Sequence, residues 1–348
     1  MRPYHTFLVL LLLVYFVHFP CPVQSQESTQ DKVKVQVGLD LIYDDNVWQY
    51  SDSDINSFKA NPNDPFFEKT ADLYDFIWEP YLYLNLRPLS RIPSTRVFLD
   101  LTGDFYTRSR SLNSGTYRIG LEQDVGDKTR ALITYTLTPR IFDGISRERR
   151  GGTSVGETVT THTMRFLIQR EIGDLDLGLT GHYKFRNYND AFNEQDSDIY
   201  GIGLITRIYS PHGLKTKLEY QFEQGLAVGR NSREECVIIN SINICPNDLS
   251  YLSNQFIIGP EIQLSPILSI SLDYELKFKE FTTALTNDPN HYGRKDTRHT
   301  VGLNVYYEIS EAIETKLGFE RVMRRTSKSS EFYAYDENAV TVGISYLF

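Results

Sequence analysis

Apolar residues fall on alternate positions in many short segments of this chain. The last segment shows the pattern clearly, with apolar side chains at Val340, Val342, Ile344, Tyr346 and Phe348. A period of two places these side chains on one face of a β-strand and the residues between them on the other face. The pattern therefore predicts two-faced strands rather than helices.

The same alternation occurs fourteen times along the sequence. Strong segments run over 33–43, 97–105, 175–185, 214–222, 268–278, 301–309 and 339–348, and weaker ones centre on Leu82, Ile119, Ile133, Phe166, Ile202, Ile258 and Leu317. We predict one strand for each segment. Pro80 and Pro260 lie inside two of them, and because proline lacks a backbone N–H we expect a bulge or a strand end at each.

The connections between these segments alternate between short and long. Short links include DVGD and SPHG, whereas long ones include Asp44 to Asp72, GISRERRGGTSVGE, NDPNHYGRKD and RRTSKSSEFYAYDE. Consecutive antiparallel strands then place every long loop at one end and every short turn at the other, as in outer-membrane barrels. We predict an all-β, up-and-down antiparallel transmembrane barrel of about 14 strands, with long outer loops and short periplasmic turns. A half-buried sheet in a propeller or sandwich is the alternative, but it would not require this asymmetry.

The first residues have the composition of an export signal. Arg2 precedes an apolar run from Phe7 to Phe19, and small residues lead up to Ser25. We predict a cleaved signal peptide over residues 1–25 and a single barrel domain over residues 26–348. A membrane anchor is the alternative, but the apolar run is shorter than the roughly 20 residues that a spanning helix needs.

Charge and hydropathy narrow the class of partner. The chain carries 36 Lys plus Arg against 45 Asp plus Glu, and loss of Arg2 with the signal makes it more acidic still. A net negative charge argues against a nucleic-acid partner. The mean hydropathy is negative. That value is compatible with a membrane barrel, because alternating apolar and polar residues cancel in any average.

Export also bears on the cysteines. Cys236 and Cys245 are the two that follow the predicted signal. An oxidising compartment favours a disulfide between them. Metal binding is the alternative, but two cysteines without a nearby histidine make a poor zinc site.

The end of the chain carries a family resemblance. A terminal phenylalanine, Phe348, with Tyr346, Ile344 and Val342 on the same face resembles the C-terminal assembly signal of bacterial outer-membrane proteins. The resemblance implies insertion into the outer membrane by the barrel assembly machinery, with both termini periplasmic. The chain as a whole resembles monomeric 14-stranded porin-like channels, and its opening VGLDLIYDDNV is similar to the first strand of uncharacterised outer-membrane barrel families.

The positions between the apolar residues carry charges of both signs. We expect ten such residues to line the lumen: Asp100, Asp104, Arg118, Arg165, His182, Arg186, Arg207, Lys217, Glu219 and Lys277. A charge that faced lipid near the bilayer midplane would cost roughly 2–4 kcal/mol. The position of these charges between the apolar residues therefore indicates that they face the lumen. Since unpaired charges are not stable in a dry interior, either water fills the lumen or ion pairs plug it.

Fourteen strands fall between barrels that side chains fill and barrels that leave an aqueous channel. The resemblance to monomeric 14-stranded barrels implies a passive diffusion channel for small hydrophilic solutes, and the mixed lumen charge predicts weak ion selectivity. We expect no enzymatic activity, cofactor or metal. One alternative is a plugged barrel that acts as an adhesin, a docking surface or a secretion-associated protein. A second is an outer-membrane hydrolase, for which Asp288 and His291 in an outer loop offer an Asp-His pair.

The first long connection contains a fragment that resembles a calcium loop. Asp52, Asp54 and Asn56 match the first three ligand positions of a helix-loop-helix calcium site. Ser57 stands where that site needs glycine, so the match fails. We expect a solvated acidic loop here.

Overall fold

A computed structural model describes residues 33–86, 94–147, 154–211, 213–231, 237–239, 242–244, 247–288, 290–327 and 334–348. Within these ranges the chain forms sixteen strands. They are β1 (Val33–Asp44), β2 (Asp75–Leu86), β3 (Thr95–Tyr106), β4 (Ser114–Asp124), β5 (Thr129–Arg147), β6 (Ser154–Ile172), β7 (Leu175–Tyr188), β8 (Ser197–Tyr209), β9 (Leu214–Ala227), β10 (Val237–Ile239), β11 (Ile242–Ile244), β12 (Tyr251–Ser265), β13 (Leu268–Phe281), β14 (Lys295–Ser310), β15 (Ile313–Thr326) and β16 (Tyr335–Leu347). The predicted signal peptide and the predicted Cys236–Cys245 disulfide lie outside the described residues.

Fourteen of these strands form a closed antiparallel barrel. Each strand pairs with its neighbour in sequence, except that β9 pairs with β12, and β10 and β11 form a separate two-stranded sheet. The barrel closes where β1 pairs with β16, from Gln36 opposite Leu347 to Asp44 opposite Ala339. The Phe348 N–H extends this seam by donating to the Val35 carbonyl at 2.8 Å. The prediction of a 14-stranded up-and-down barrel is confirmed.

Connections at the two ends of the barrel differ in length, as predicted. Turns at one end are as short as 173–174, 266–267 and 311–312, whereas links at the other end run over 45–74, 228–250 and 282–294. Gly173 has φ +60°, a left-handed conformation that the tight turn between β6 and β7 requires and that glycine adopts without steric cost. The start of β1 and the end of β16 lie at the same end of the barrel as the short turns.

The hairpin of β5 and β6 corrects one expectation. The segment GISRERRGGTSVGE is predicted as a loop, yet the ladder continues through Ile145 opposite Gly156 to Arg147 opposite Ser154. Two register shifts, between Thr138 and Ile141 and between Phe142 and Gly144, interrupt the pairing without ending it. Bulges of this kind bend a strand and allow it to continue. Most of the predicted loop is therefore strand.

The two prolines also differ from expectation, because neither one ends its strand or produces a bulge. Pro80 pairs with Leu39 in an unbroken β1–β2 register, and Pro260 pairs with Thr216 in β9. On the opposite side of each strand the ladder has a gap without a register shift, facing β3 and β13. A proline removes a single donor, and the remaining ladder bonds are enough to keep the strand in place.

The predicted acidic loop is instead a helix, α1 (Asp52–Ala60). Ser51 caps its start by accepting a hydrogen bond from the Asp54 N–H, and the Asp54 side chain accepts one from the Ser51 N–H. This reciprocal capping box satisfies two donors at the helix start. Among the described residues, no helix is long and apolar enough to cross a bilayer.

Candidate lumen site

The two faces of the barrel wall carry different side chains. One phase presents large aliphatic residues to the exterior, including Leu204, Ile168 and Ile202, each more than half exposed. Side chains on the opposite face contact each other over intervening strands, as Arg165 on β6 does with Glu219 on β9. Side chains on a convex surface diverge, so contacts that skip strands identify this phase as the interior.

All ten residues predicted to line the lumen lie on this inner phase. The pairing registers set some of them directly opposite each other on neighbouring strands, as for Asp100 with Arg118 and for Arg207 with Lys217. Three of them form ion pairs with neighbouring acids: Arg118 with Asp100, Lys217 with Glu219, and Arg186 with Asp143.

Glu219 is the centre of one buried network in the wall. Its carboxylate accepts from Arg165 Nη2 at 3.0 Å and lies 2.7 Å from Lys217 Nζ, while the Gln221 amide also donates to it. Arg165 is further fixed by a 3.0 Å bond from its Nε to Thr180 Oγ1. Two cations thus neutralise one carboxylate that is only 6% exposed.

Glu223 is the centre of a second network. Its Oε1 lies 2.9 Å from His182 Nε2 and 3.5 Å from Lys184 Nζ, and its Oε2 lies 3.3 Å from Lys277 Nζ. Glu223 is 5% exposed. A single carboxylate therefore serves two lysines and one histidine, so this part of the wall has a surplus of positive charge.

The surplus extends to neighbouring strands, and we call the set the basic face. It consists of Lys184 and Arg186 on β7, Lys277 and Lys279 on β13, Arg298 on β14 and Arg324 on β15. Lys279 Nζ lies over the rings of Tyr251 and Phe281, at 4.1 and 4.4 Å from their centroids. Arg324 contacts Asp296 at 2.6 Å.

Carboxylates dominate another part of the inner wall, which we call the acidic face. It consists of Asp40 and Asp44 on β1, Glu79 on β2, Asp104 on β3, Glu320 on β15 and Glu337 on β16. Asp44 and Glu337 share a hydrogen bond, as do Glu79 and Asp104. Lys316 contacts Asp40 at 2.8 Å and interacts electrostatically with Glu79. In the strand order β2 and β9 are seven places apart, so Glu79 and Glu223 lie on opposite sides of the barrel. At β15 the acidic face adjoins the basic face, since Glu320 and Arg324 lie on that same strand.

The long connections fold inward and narrow the lumen at their end of the barrel, near β5 to β13. Leu249 contacts two apolar clusters, one formed by Val159, Tyr188 and Phe192 and the other by Ile199, Tyr251 and Phe281. The first long loop also reaches across the barrel end, where Trp48 meets the Phe142 ring at 6.1 Å.

Asp288 and His291, the pair considered for a hydrolase, are part of this packing. Both are buried, and His291 Nδ1 lies 3.0 Å from Asp288 Oδ2, which also accepts from the Asp248 N–H at 3.0 Å. Burial would raise the pKa of Asp288, but the hydrogen bond and charge of His291 and the backbone donors outweigh it and lower the pKa. The pair anchors the 282–294 loop to the segment that precedes β12.

Sequence reasoning missed Arg298 and Glu337. Both lie on the inner phase, with Arg298 opposite Lys277 and Glu337 opposite Val322. Extending the alternation outward from Val301 would have placed Arg298 on the polar face. The described residues hold no group of three or more His, Cys, Asp or Glu side chains placed to bind a metal.

No family model and no curated protein matches this chain. Among solved structures, it is similar to the anion-selective porin from Comamonas acidovorans, with 10% identity over 91% of this chain and 98% of that one, and a TM-score of 0.47. It is also similar to the outer-membrane channel DcaP of Acinetobacter baumannii (13% identity, 91% and 96% covered, TM-score 0.49) and to OmpT of Vibrio cholerae (8%, 92% and 99%, 0.48). Because these TM-scores fall below 0.5, function has to be inferred from the chain's own residues.

Proposed function

We propose that this chain is an outer-membrane channel that lets small hydrophilic solutes diffuse passively through a water-filled lumen. The observation that carries the proposal is the reach of its internal polar contacts. Among the described residues, ion pairs and hydrogen bonds between inner-wall side chains join strands at most three places apart in the barrel order. The far wall of a 14-stranded ring lies seven places away. The charges therefore pair along the wall and not across the lumen.

The state of the unpaired charges supports the same conclusion. The basic face holds more cations than its contacts neutralise. Ionised groups without partners are stable only where water solvates them. We therefore propose that water fills the lumen and that a small polar solute diffuses through it.

The exterior supports a membrane location. Outward aliphatic side chains such as Leu204 and Ile168, both 59% exposed, form part of an apolar surface much larger than soluble proteins expose. A bilayer would cover this surface, and each of the fourteen barrel strands is long enough to cross the roughly 25 Å apolar band of an outer membrane. Outer-membrane lipid is thus the proposed partner of the outer face.

Conductance in a planar bilayer tests the proposal. We expect the purified protein to insert and give stable steps on the order of a nanosiemens, with an anion-to-cation permeability ratio within about tenfold of unity because the two faces offset each other. Heat-dependent gel mobility would confirm that the inserted protein is folded. A folded protein that leaves the bilayer silent would contradict the open lumen and favour the plugged alternative.

We also propose that the last strand is recognised during assembly. The side chains of Val342, Ile344, Tyr346 and Phe348 point outward and are 57%, 51%, 41% and 70% exposed, so a machinery that pairs with the strand could read them. We expect deletion of Phe348 to reduce the folded protein in outer membranes several-fold while refolding in detergent persists. Heat-dependent gel mobility of both samples measures this, with Phe348→Tyr as the matched control. Equal losses in membranes and in detergent would show a structural role only.

A further inference from the structure

The basic face contains a row of like charges that ordinary pairing does not explain. Lys277 on β13 stands directly opposite Arg298 on β14, and Arg298 stands directly opposite Arg324 on β15. Like charges opposite each other on neighbouring strands destabilise a sheet. Three cations in register across three strands therefore require a source of negative charge.

Two carboxylates nearby are already engaged. Glu223 is shared among Lys277, Lys184 and His182. Asp296 receives two hydrogen bonds from Arg294, at 2.8 and 2.7 Å, in addition to the contact with Arg324. Each of these two carboxylates is thus shared among at least two cationic side chains.

Two cations in this region form no ion pair in the described part of the chain. Arg298 interacts with Glu337 only at longer range, and its buried Nε has no hydrogen-bond partner among the described residues. Lys279 Nζ contacts the rings of Tyr251 and Phe281, and the charges around it are the cations Arg324, Arg186 and Lys277 together with the carboxylate of Asp296. Lys279 lies opposite Asp296 on β14, and Asp296 is two positions from Arg298 along that strand. Lys279 and Arg298 are therefore diagonal neighbours on the inner wall, a separation that long side chains can bridge.

We propose that this part of the lumen binds a small anion through Arg298 and Lys279, flanked by Lys277 and Arg324. The ligand class is a solute with several carboxylate or phosphate oxygens. Guanidinium groups bind both by paired N–H donors, and ammonium groups add a point charge. Cations on strands about 4.8 Å apart suit an anion that bears more than one charge. The site deepens the proposed channel function by naming a class of solute that the lumen retains.

The site is compatible with weak overall selectivity. The acidic face attracts cations while the basic face holds anions. Net permeation of small monovalent ions can then be nearly balanced, whereas a multivalent anion lingers at one wall and slows the passage of others.

Calorimetric titration of the purified protein in detergent tests the proposal without any channel current. Inorganic phosphate and citrate are the two probes, in a buffer free of both, and they separate the two oxygen sources. We expect saturable binding of at least one, weakened about tenfold or more by Arg298→Gln and by Lys279→Gln through loss of a charged donor. Lys215→Gln, which removes a cation paired with Glu261 elsewhere on the wall, is the matched control and should change affinity less than twofold.

Each outcome is decisive. Absence of binding by both anions, or equal weakening by Lys215→Gln, would overturn the anion site. If Arg298→Gln fails to fold, Arg298→Lys and Lys279→Gln keep the test open. Arg298→Lys retains the positive charge but loses the paired N–H donors, whereas Lys279→Gln removes one positive charge. A barrel that binds an anion and does not conduct would overturn the channel and leave the site standing, whereas a conducting barrel that binds neither would do the reverse.

Discussion

Replacing Glu223 by glutamine is expected to lower the free energy of unfolding by about 3 kcal/mol. The carboxylate is 5% exposed and balances Lys184, Lys277 and His182, so its loss leaves like charges crowded in a buried part of the wall. The figure lies at the low end for a broken buried ion pair because the two lysine side chains keep 29% and 27% of their surface exposed. Denaturant unfolding of the protein in lipid vesicles measures the change.

The same substitution is expected to have the opposite effect on the affinity for anions. Removing a negative charge from the basic face should tighten phosphate or citrate binding several-fold while the fold becomes less stable. Glu261→Gln is the control, because Glu261 and its partner Lys215 are both more than 40% exposed and such pairs contribute at most about 1 kcal/mol. Equal stability losses for the two variants would contradict the role given to Glu223.

Replacing Leu303 by arginine is expected to cost about 2–4 kcal/mol in a bilayer, because Leu303 points outward between Leu272 and Phe319 and a charge there would face lipid. The neighbouring Asn304 points inward between Ser271 and Gly318, where small neighbours leave room. Asn304→Arg should therefore cost no more than about 1 kcal/mol. Denaturant unfolding in vesicles compares the two variants directly.

The two adjacent substitutions form a matched pair. They introduce the same side chain one residue apart on the same strand, so they differ only in the face that receives it. Equal costs would mean that the outer face does not contact hydrocarbon, and the proposed membrane location would then be wrong.

The sequence predicts the barrel well because the signal for a two-faced strand is local. Alternation in a short segment decides which side chains share a face, as for Val342 and Ile344, whatever the rest of the chain does. Turn residues such as Gly173 mark the short links in the same local way. The strand count, the alternation of loop lengths and the phase of the charged residues all follow.

The features that escaped prediction depend on register or on competing local signals. The contact between Arg165 and Glu219 joins strands separated by two others, and only the completed pairing brings them together. The capping box of Ser51 and Asp54 was visible in the sequence, but the same letters also resembled a calcium loop. The like-charge row at Lys277, Arg298 and Arg324 likewise becomes apparent only when three strands are set in register.

The seam between β1 and β16 has a consequence for the order of folding. Gln36 and Ser345, which are hydrogen bonded across it, are 309 residues apart in sequence. Loop-closure entropy grows slowly with separation, so the distance costs little stability, but distant pairings form slowly. Until the last strand arrives, β1 and β15 are unpaired edges that can join other chains. The thirteen residues of β16 thus cover both edges at once and close the ring.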